Sequence, residues 1–310
     1  MRKKVNVERM PEWIASPVLL VICASALTAL AQSSSQPQTN LAQATQSSAQ
    51  APAQTQPDRQ AEPDISGMRN GVFSEPDPLD FADHTGFRSL FDGQTLTDWD
   101  GLPGVWSVQD GAIVGVSTKE KNAGNTFLVY HGVAAKDFDL KLEIKVEWGG
   151  GSGIQYRSST GIPPGRVAGK GEPPLDPRWV MIGPQADFWY PVNDEAKQYS
   201  GQLYSQNTSR GIIVWRGQVV QTPPGKAPRL MGTIGDRTQL GMYVKDGEWN
   251  QYTIIARGGV ILHILNGQLM AVLVDDDPAS SNNVSGLLGL QIESTPCKVS
   301  FRNLWFRKIQ

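Results

Sequence analysis

The chain has 310 residues and a formal net charge of −2. A balance this close to neutral gives no sign of the basic surface on which nucleic-acid binding ordinarily rests. Hydrophobic residues make up only 39%, but the shortfall is local, because the first quarter of the chain is polar and compositionally biased.

Residues 1–31 read as an export signal. Arg2, Lys3, Lys4 and Arg9 form a positive start, Ile14 to Leu30 is largely apolar, and Ala29-Leu30-Ala31 supplies a small-x-small cleavage pattern. The apolar run is shorter than the roughly 20 residues a spanning helix needs. An uncleaved N-terminal anchor is the competing reading. Cys23 does not make a lipoprotein site, because Ile22 before it is too bulky. Cleavage would leave Cys297 without an intramolecular partner. The expected location is outside the cytoplasm, either periplasmic or extracellular at the cell surface.

Residues 32–80 are rich in Gln, Ser, Ala, Thr and Pro. Such a stretch buries too little apolar surface to offset its ordering entropy, so a disordered linker is expected. Residues 81–310 then form a single all-β domain of a size that needs no disulfides. Turn dipeptides punctuate it: Asp92-Gly93, Asp110-Gly111, Asp246-Gly247 and Asn266-Gly267. Short β-rich runs lie between them, which is the pattern of a sandwich. Asn266-Gly267 between two apolar runs predicts a two-residue hairpin.

Asp137 to Ser158 organises the rest. Phe138, Leu140, Leu142, Ile144 and Val146 alternate with Asp139, Lys141, Glu143, Lys145 and Glu147, the period of a half-buried strand. Gly149, Gly150, Gly151 and Gly153 predict a sharp turn, followed by a returning strand with Gln155 and Arg157 on one face. Lys141, Lys145 and Glu147 are expected to face water. Two long stretches, Thr160 to Pro184 and Gln206 to Gly247, read as irregular loops that either shape a site or cover a sheet edge.

The motif GGGSGIQYRS resembles a signature of the 3-keto-disaccharide hydrolase family. Collinear pieces support this: FRSLFDGQTLTDW at 87–99, WSVQDGAIVG at 106–115, GPQADF at 183–188, YSGQLY at 199–204, GEWNQYTIIARG at 247–258 and VSFRNLWFRKI at 299–309. The resemblance covers roughly residues 86 to 310. It implies a concanavalin-like jelly-roll β-sandwich, with two long loops, that cleaves 3-oxo-glycosides. Members often carry apolar-Gln-apolar-His near the last strands, where this chain has Leu290-Gln291-Ile292-Glu293. Glu293 then takes the histidine's role or the activity differs.

Candidate site residues follow from strand alternation weighed with that resemblance. Gln185, Asp187 and Trp189 share one strand face, as do Gln291 and Glu293. With Glu143, Gln155 and Arg157 they form an expected polar constellation; water-facing strands are the alternative. Trp189, Tyr199, Tyr204 and Trp215 offer flat faces for sugar C–H surfaces, whereas Trp99, Trp106, Trp249 and Trp305 read as core. His263 lies on an apolar face, where a satisfied core histidine competes with a site role. No His or Cys pair has zinc-ligand spacing. The run Asp275-Asp276-Asp277 reads first as a solvated turn, with Ca²⁺ binding as the alternative.

The implied substrate sets the chemistry. A C3 ketone acidifies the C2 proton; a base removes it, the C1 group leaves by β-elimination, and water adds back. Asp187 is the first choice of base, Glu143 the second choice or the acid, and Arg157 with Gln155 would hold the enolate oxygen. No cofactor is predicted, though a divalent ion stays open as a substitute for Arg157. The expected partner is a small carbohydrate, with no nucleic acid and no membrane beyond an N-terminal anchor. A non-catalytic lectin-like binding module is the main rival, and an interaction domain with a groove closed by its own loops is a third reading.

Overall fold

The computed structural model describes residues 76–293 and 296–309. The export signal and nearly all of the linker read from the sequence lie outside the described residues.

Seventeen strands occur among the described residues. They are β1 (Arg88–Ser89), β2 (Trp99–Asp100), β3 (Trp106–Gln109), β4 (Ala112–Ser117), β5 (Thr126–Ala135), β6 (Phe138–Trp148), β7 (Gly151–Thr160), β8 (Met181–Trp189) and β9 (Leu203–Gln206), then β10 (Gly211–Val214), β11 (Gln218–Thr222), β12 (Arg229–Thr233), β13 (Asn250–Arg257), β14 (Val260–Leu265), β15 (Gln268–Asp275), β16 (Gly286–Ile292) and β17 (Cys297–Lys308). One short helix, α1 (Arg237–Gly241), is N-capped by Asp236.

Two sheets face each other. The first is ten-stranded, in the order β12-β11-β15-β14-β13-β6-β17-β4-β3, with β1 on β17. The second is seven-stranded, in the order β10-β9-β8-β7-β16-β5-β2. This is the expected jelly-roll sandwich, and its core lies between the sheets. Leu140, Leu142, Ile144, Tyr252, Ile254, Phe301 and Phe306 of the first sheet meet Ile154, Tyr156, Ala186, Phe188, Leu290 and Ile292 of the second. Burying each of the leucine, isoleucine and phenylalanine side chains contributes about 1.5–3 kcal/mol, the main source of stability for the sandwich. Asn266 and Gly267 both take positive φ between Leu265 and Gln268, the expected two-residue hairpin.

The glycine turn does something other than expected. β6 and β7 do not pair; β6 lies between β13 and β17, while β7 lies between β8 and β16. The turn is therefore a corner that carries the chain from one sheet to the other. Gly150 has φ 50°, and a Cβ there would come within 2.3 Å of the Glu293 carbonyl oxygen. Only glycine fits both demands.

The charged face of β6 is also less wet than its alternation suggests. Lys141 is buried, and its Nζ donates to the carbonyl oxygens of Asp80 and Asp83 at 2.7 and 2.6 Å. Buried Asp139 pairs with Arg257 and Arg307 at 2.6 and 2.7 Å. Residues 80–87 and the arginines of neighbouring strands cover this face. Nor is the Gln206 to Gly247 stretch irregular: β10, β11, β12 and α1 lie in it. No helix among the described residues is long and apolar enough to cross a membrane.

Candidate active site

Gln155, Gln185, Asp187, Gln291 and Glu293 leave the seven-stranded sheet on the face turned away from the core. Their neighbours Ile154, Tyr156, Ala186, Phe188, Leu290 and Ile292 take the inner face, as a period of two requires. Register then gathers the polar groups. Gln155 stands opposite Gln185 on β8 and Gly289 on β16, and Gly153 stands opposite Asp187. Glu293 bridges to Gly151 just beyond β16. The small residues of β7 make room: a Cβ on Gly153 would come within 2.1 Å of Gln185 Nε2, and one on Gly151 within 2.4 Å of the Trp189 ring.

A cleft of about 710 Å³ opens over this face. Asp187, Glu293, Trp189, Tyr199 and Tyr204 line it, together with Asn125, Gln202 and Arg166. Pro163 and Arg166 come from the long 160–180 loop, so that stretch shapes the cleft wall. Beneath the cleft, Gln185 Nε2 donates to Gln291 Oε1. Gln291 Nε2 reaches Glu293 Oε2 at 3.2 Å and Asn125 Oδ1 at 3.1 Å, and Asn125 Nδ2 donates to Glu293 Oε1 at 3.1 Å. Gln155 Nε2 donates to Ser158 Oγ at 3.3 Å, leaving its Oε1 without a partner.

Asp187 is only 5% exposed. Burial drives its pKa well above the usual carboxylate range; the donor Gln202 Nε2, at 2.7 Å from Oδ2, opposes that rise, and the charge of Glu293 adds to it. Glu293 is also raised, first by burial, against the lowering influence of Arg166, Gln291 and Asn125. Two acids held toward their neutral forms therefore share one cleft with one guanidinium. Arg166 Nε is buried there without a hydrogen-bond partner. On the aromatic wall, Trp189 and Tyr199 meet edge to face at 5.2 Å. Trp215, expected beside them, does not line the cleft and lies tilted against Tyr199 at 6.1 Å.

Three expected members are elsewhere. Glu143 belongs to β6 in the opposite sheet, where Arg302 Nε and Asn303 Nδ2 hold its Oε2. Its outward face and that of Asp187 are on opposite sides of the sandwich, so the expected Asp187–Glu143 pair does not form. Arg157 has φ 50° at an irregularity in the β7–β8 register. This turns its side chain out of line with Gln155 and into a buried nest: Lys136 O, Gly258 O and Asn282 O accept from it, and Asp137 Oδ1 lies at 3.2 Å. His263 lies between the sheets, with Nε2 at 2.7 Å from Tyr156 OH and Nδ1 at 3.1 Å from Gln202 O. It is a satisfied core histidine, pushed down to about 4 by burial.

Other readings shift as well. Trp249 and Trp305 are not core: Lys145 and Arg302 cover the Trp249 ring, and Trp305 stacks on His84 at 4.1 Å. Asp275 is buried rather than solvated, accepting from Ser280 Oγ and Asn282 Nδ2. Among the described residues, no three His, Cys, Asp or Glu side chains stand close enough together to hold a metal ion.

Sequence reasoning missed Asn125, Arg166 and Gln202. Gln202 lies within the motif YSGQLY and Asn125 directly precedes the apolar run of β5, and alternation along those short runs was the available signal. Arg166 had none, because a Pro- and Gly-rich loop has no period.

A curated 3-keto-disaccharide hydrolase of Bacteroides thetaiotaomicron is 24% identical over 217 residues, which is 66% of this chain and 64% of the relative's length. A carbohydrate-binding module of Bacillus subtilis matches in structure over 68% of this chain and 96% of its own, at 12% identity and a TM-score of 0.38. A β-glucanase of Bacillus licheniformis does so over 72% and 97%, at 10% identity and a TM-score of 0.40. The model of a 3-keto-alpha-glucoside-1,2-lyase-like domain matches residues 86–307. That match spans most of the chain, including both sheets and the cleft, and the chain belongs to the 3-keto-alpha-glucoside-1,2-lyase-like domain family.

Proposed function

We propose that the protein is an enzyme that cleaves 3-keto-glycosides, with Asp187 as base. The observation that carries this is the placement of Asp187: a buried carboxyl with a raised pKa, opening into a cleft beside a second acid and a cation. A sugar-binding module needs aromatics and amides; it has no use for an acid whose ionised form is disfavoured by its own surroundings.

The chemistry divides among the cleft residues. Ionised Asp187 takes the proton from C2, and the C2–H electron pair forms the enolate with the C3 ketone. Arg166 replaces Arg157 as the group facing the enolate oxygen, its Nε being free to donate. The enolate then collapses: the C3 carbonyl re-forms, C1=C2 forms, and the C1–O bond breaks. Protonated Glu293 gives its proton to the departing oxygen, consistent with its raised pKa. Water returns that proton to Glu293 and adds hydroxide to C1, while Asp187 returns its proton to C2. The sum is hydrolysis. Trp189 and Tyr204 offer faces to the sugar ring.

The test is incubation with 3-ketosucrose and a 3-keto-glucoside, comparing wild type with Asp187→Asn and following released aglycone. Turnover by wild type that is lost in the variant is expected. No turnover by wild type would end the claim for these substrates, and undiminished turnover in the variant would remove Asp187 from its role. Arrest at the unsaturated C1=C2 product would show a lyase without the hydration step.

A further inference from the structure

A second cleft, of about 410 Å³, adjoins the first at Trp189, which lines both. At its base is Arg216, in the connection between β10 and β11 and only 2% exposed. Its Nε donates to Arg237 O at 2.8 Å and its Nη1 to Ser200 O at 2.9 Å. Both acceptors are neutral carbonyls. Among the described residues no carboxylate lies within ion-pair distance of this guanidinium, and Nη2 has no hydrogen-bond partner. Nη2 sits against Gly241, where a Cβ would come within 2.6 Å of it, and Gly241 lines the same cleft.

A buried cation without an anion is costly, and burial pushes Arg216 down to about 10. Nearby Arg237, which stacks on Trp215 at 4.1 Å, adds to the positive field, and Asp236, the N-cap of α1, offsets part of it without coming within ion-pair distance of Arg216. The other charges on this cleft are exposed: Lys197 and Asp194 pair with each other at 3.0 Å, and Asp246 sits at the rim. A planar guanidinium with an unused edge facing a cavity is matched by a planar oxyanion.

We infer that this cleft is a subsite for a carboxylate carried by the aglycone, anchored by Arg216 behind the Trp189 wall. This rests on the placement of the sugar ring in the neighbouring cleft under the proposed function. It makes glycosides of acidic aglycones the preferred substrate class. Trp189 would divide the two halves of the substrate, with the ring on one side and the acidic group on the other.

The test uses two unoxidised, inert ligands, 4-carboxyphenyl glucoside and 4-carbamoylphenyl glucoside, which differ in charge and hardly in shape. Binding is followed by tryptophan fluorescence and calorimetry on the whole chain. Wild type is expected to bind the carboxylate about tenfold more tightly, the scale of one charge-assisted hydrogen bond. Arg216→Gln is expected to bind both alike. Should that variant fail to fold, Gly241→Ala keeps the arginine but crowds Nη2, and is expected to lose most of the preference. Equal binding of the two ligands by wild type would overturn the inference, as would a preference that survives both substitutions. Because neither ligand turns over, this result is independent of the hydrolysis assay: selectivity without turnover would sink the proposed reaction alone.

Discussion

Gln202 holds Asp187 from the side: its Nε2 donates to Asp187 Oδ2 at 2.7 Å, while its own carbonyl oxygen accepts from His263 Nδ1 at 3.1 Å. Because a carbonyl can only accept, Nδ1 carries the proton, and Nε2 then accepts from Tyr156 OH at 2.7 Å. The inter-sheet core thereby sets the backbone position of a residue that tunes the candidate base.

That relationship predicts the pH dependence of the reaction. A base must be ionised, so kcat/KM rises with pH through the raised pKa of Asp187. Gln202→Leu removes a donor that favours the ionised form. Its acid limb is therefore expected to move to higher pH, by roughly one pKa unit for one lost hydrogen bond. A pH–rate profile of the variant against wild type checks this; an unmoved limb would separate Gln202 from the tuning of Asp187.

Glu293 acts on the other limb. Under the proposed mechanism it must be protonated, consistent with its raised pKa, so kcat/KM falls at high pH as Glu293 loses its proton. Glu293→Gln removes that titrating donor, so the alkaline limb is expected to disappear. Its maximal rate is expected to fall about 10²–10⁴-fold with a poor leaving group. An activated phenolic aglycone, which departs without protonation, should recover much of the loss.

Arg157 and Glu143 separate fold from site. Arg157→Met leaves a buried nest of three carbonyls without its donor and takes the ion-pair partner from Asp137, which keeps the Gly258 N–H. A loss of about 1–3 kcal/mol or more in chemical denaturation is expected from the orphaned carbonyls. Glu143→Gln leaves the opposite sheet and the cleft untouched, so kcat and KM are expected to stay at wild-type values. A large kinetic effect of Glu143→Gln would restore the sequence-based view of its role.

His263 contributes a pH-dependent stability of definite sign. Its folded pKa, about 4, lies below the ordinary 6.5 because burial disfavours the cation. Between those values the unfolded chain binds more protons, so this contribution is complete above 6.5 and is lost as pH falls toward 4. The span corresponds to about 3 kcal/mol. Asp187, raised rather than lowered, works against it in the same window, so total stability is the wrong measurement. The difference between wild type and His263→Gln, followed by denaturation from pH 7 to 4, should shrink by about that amount.

Local features of the fold were legible in the residue pattern. Alternation along β7, β8 and β16 decided which side chains share a strand face, setting Gln185 with Asp187 and Gln291 with Glu293. Asn266-Gly267 decided its hairpin, because few dipeptides accept two consecutive positive φ values. Collinear motifs carried the family. Tertiary structure alone decided which faces meet. Alternation is identical for a strand in either sheet, so nothing local could say that β6 and β7 part at Gly150, sending Glu143 away from Asp187. A single positive φ at Arg157 reversed its direction without leaving any mark on the residue pattern. Arg166 and Arg216 entered their clefts from segments with no period at all. Burial, which sets the raised pKa of Asp187, belongs to the packed whole, since desolvation depends on what the rest of the chain lays over a residue.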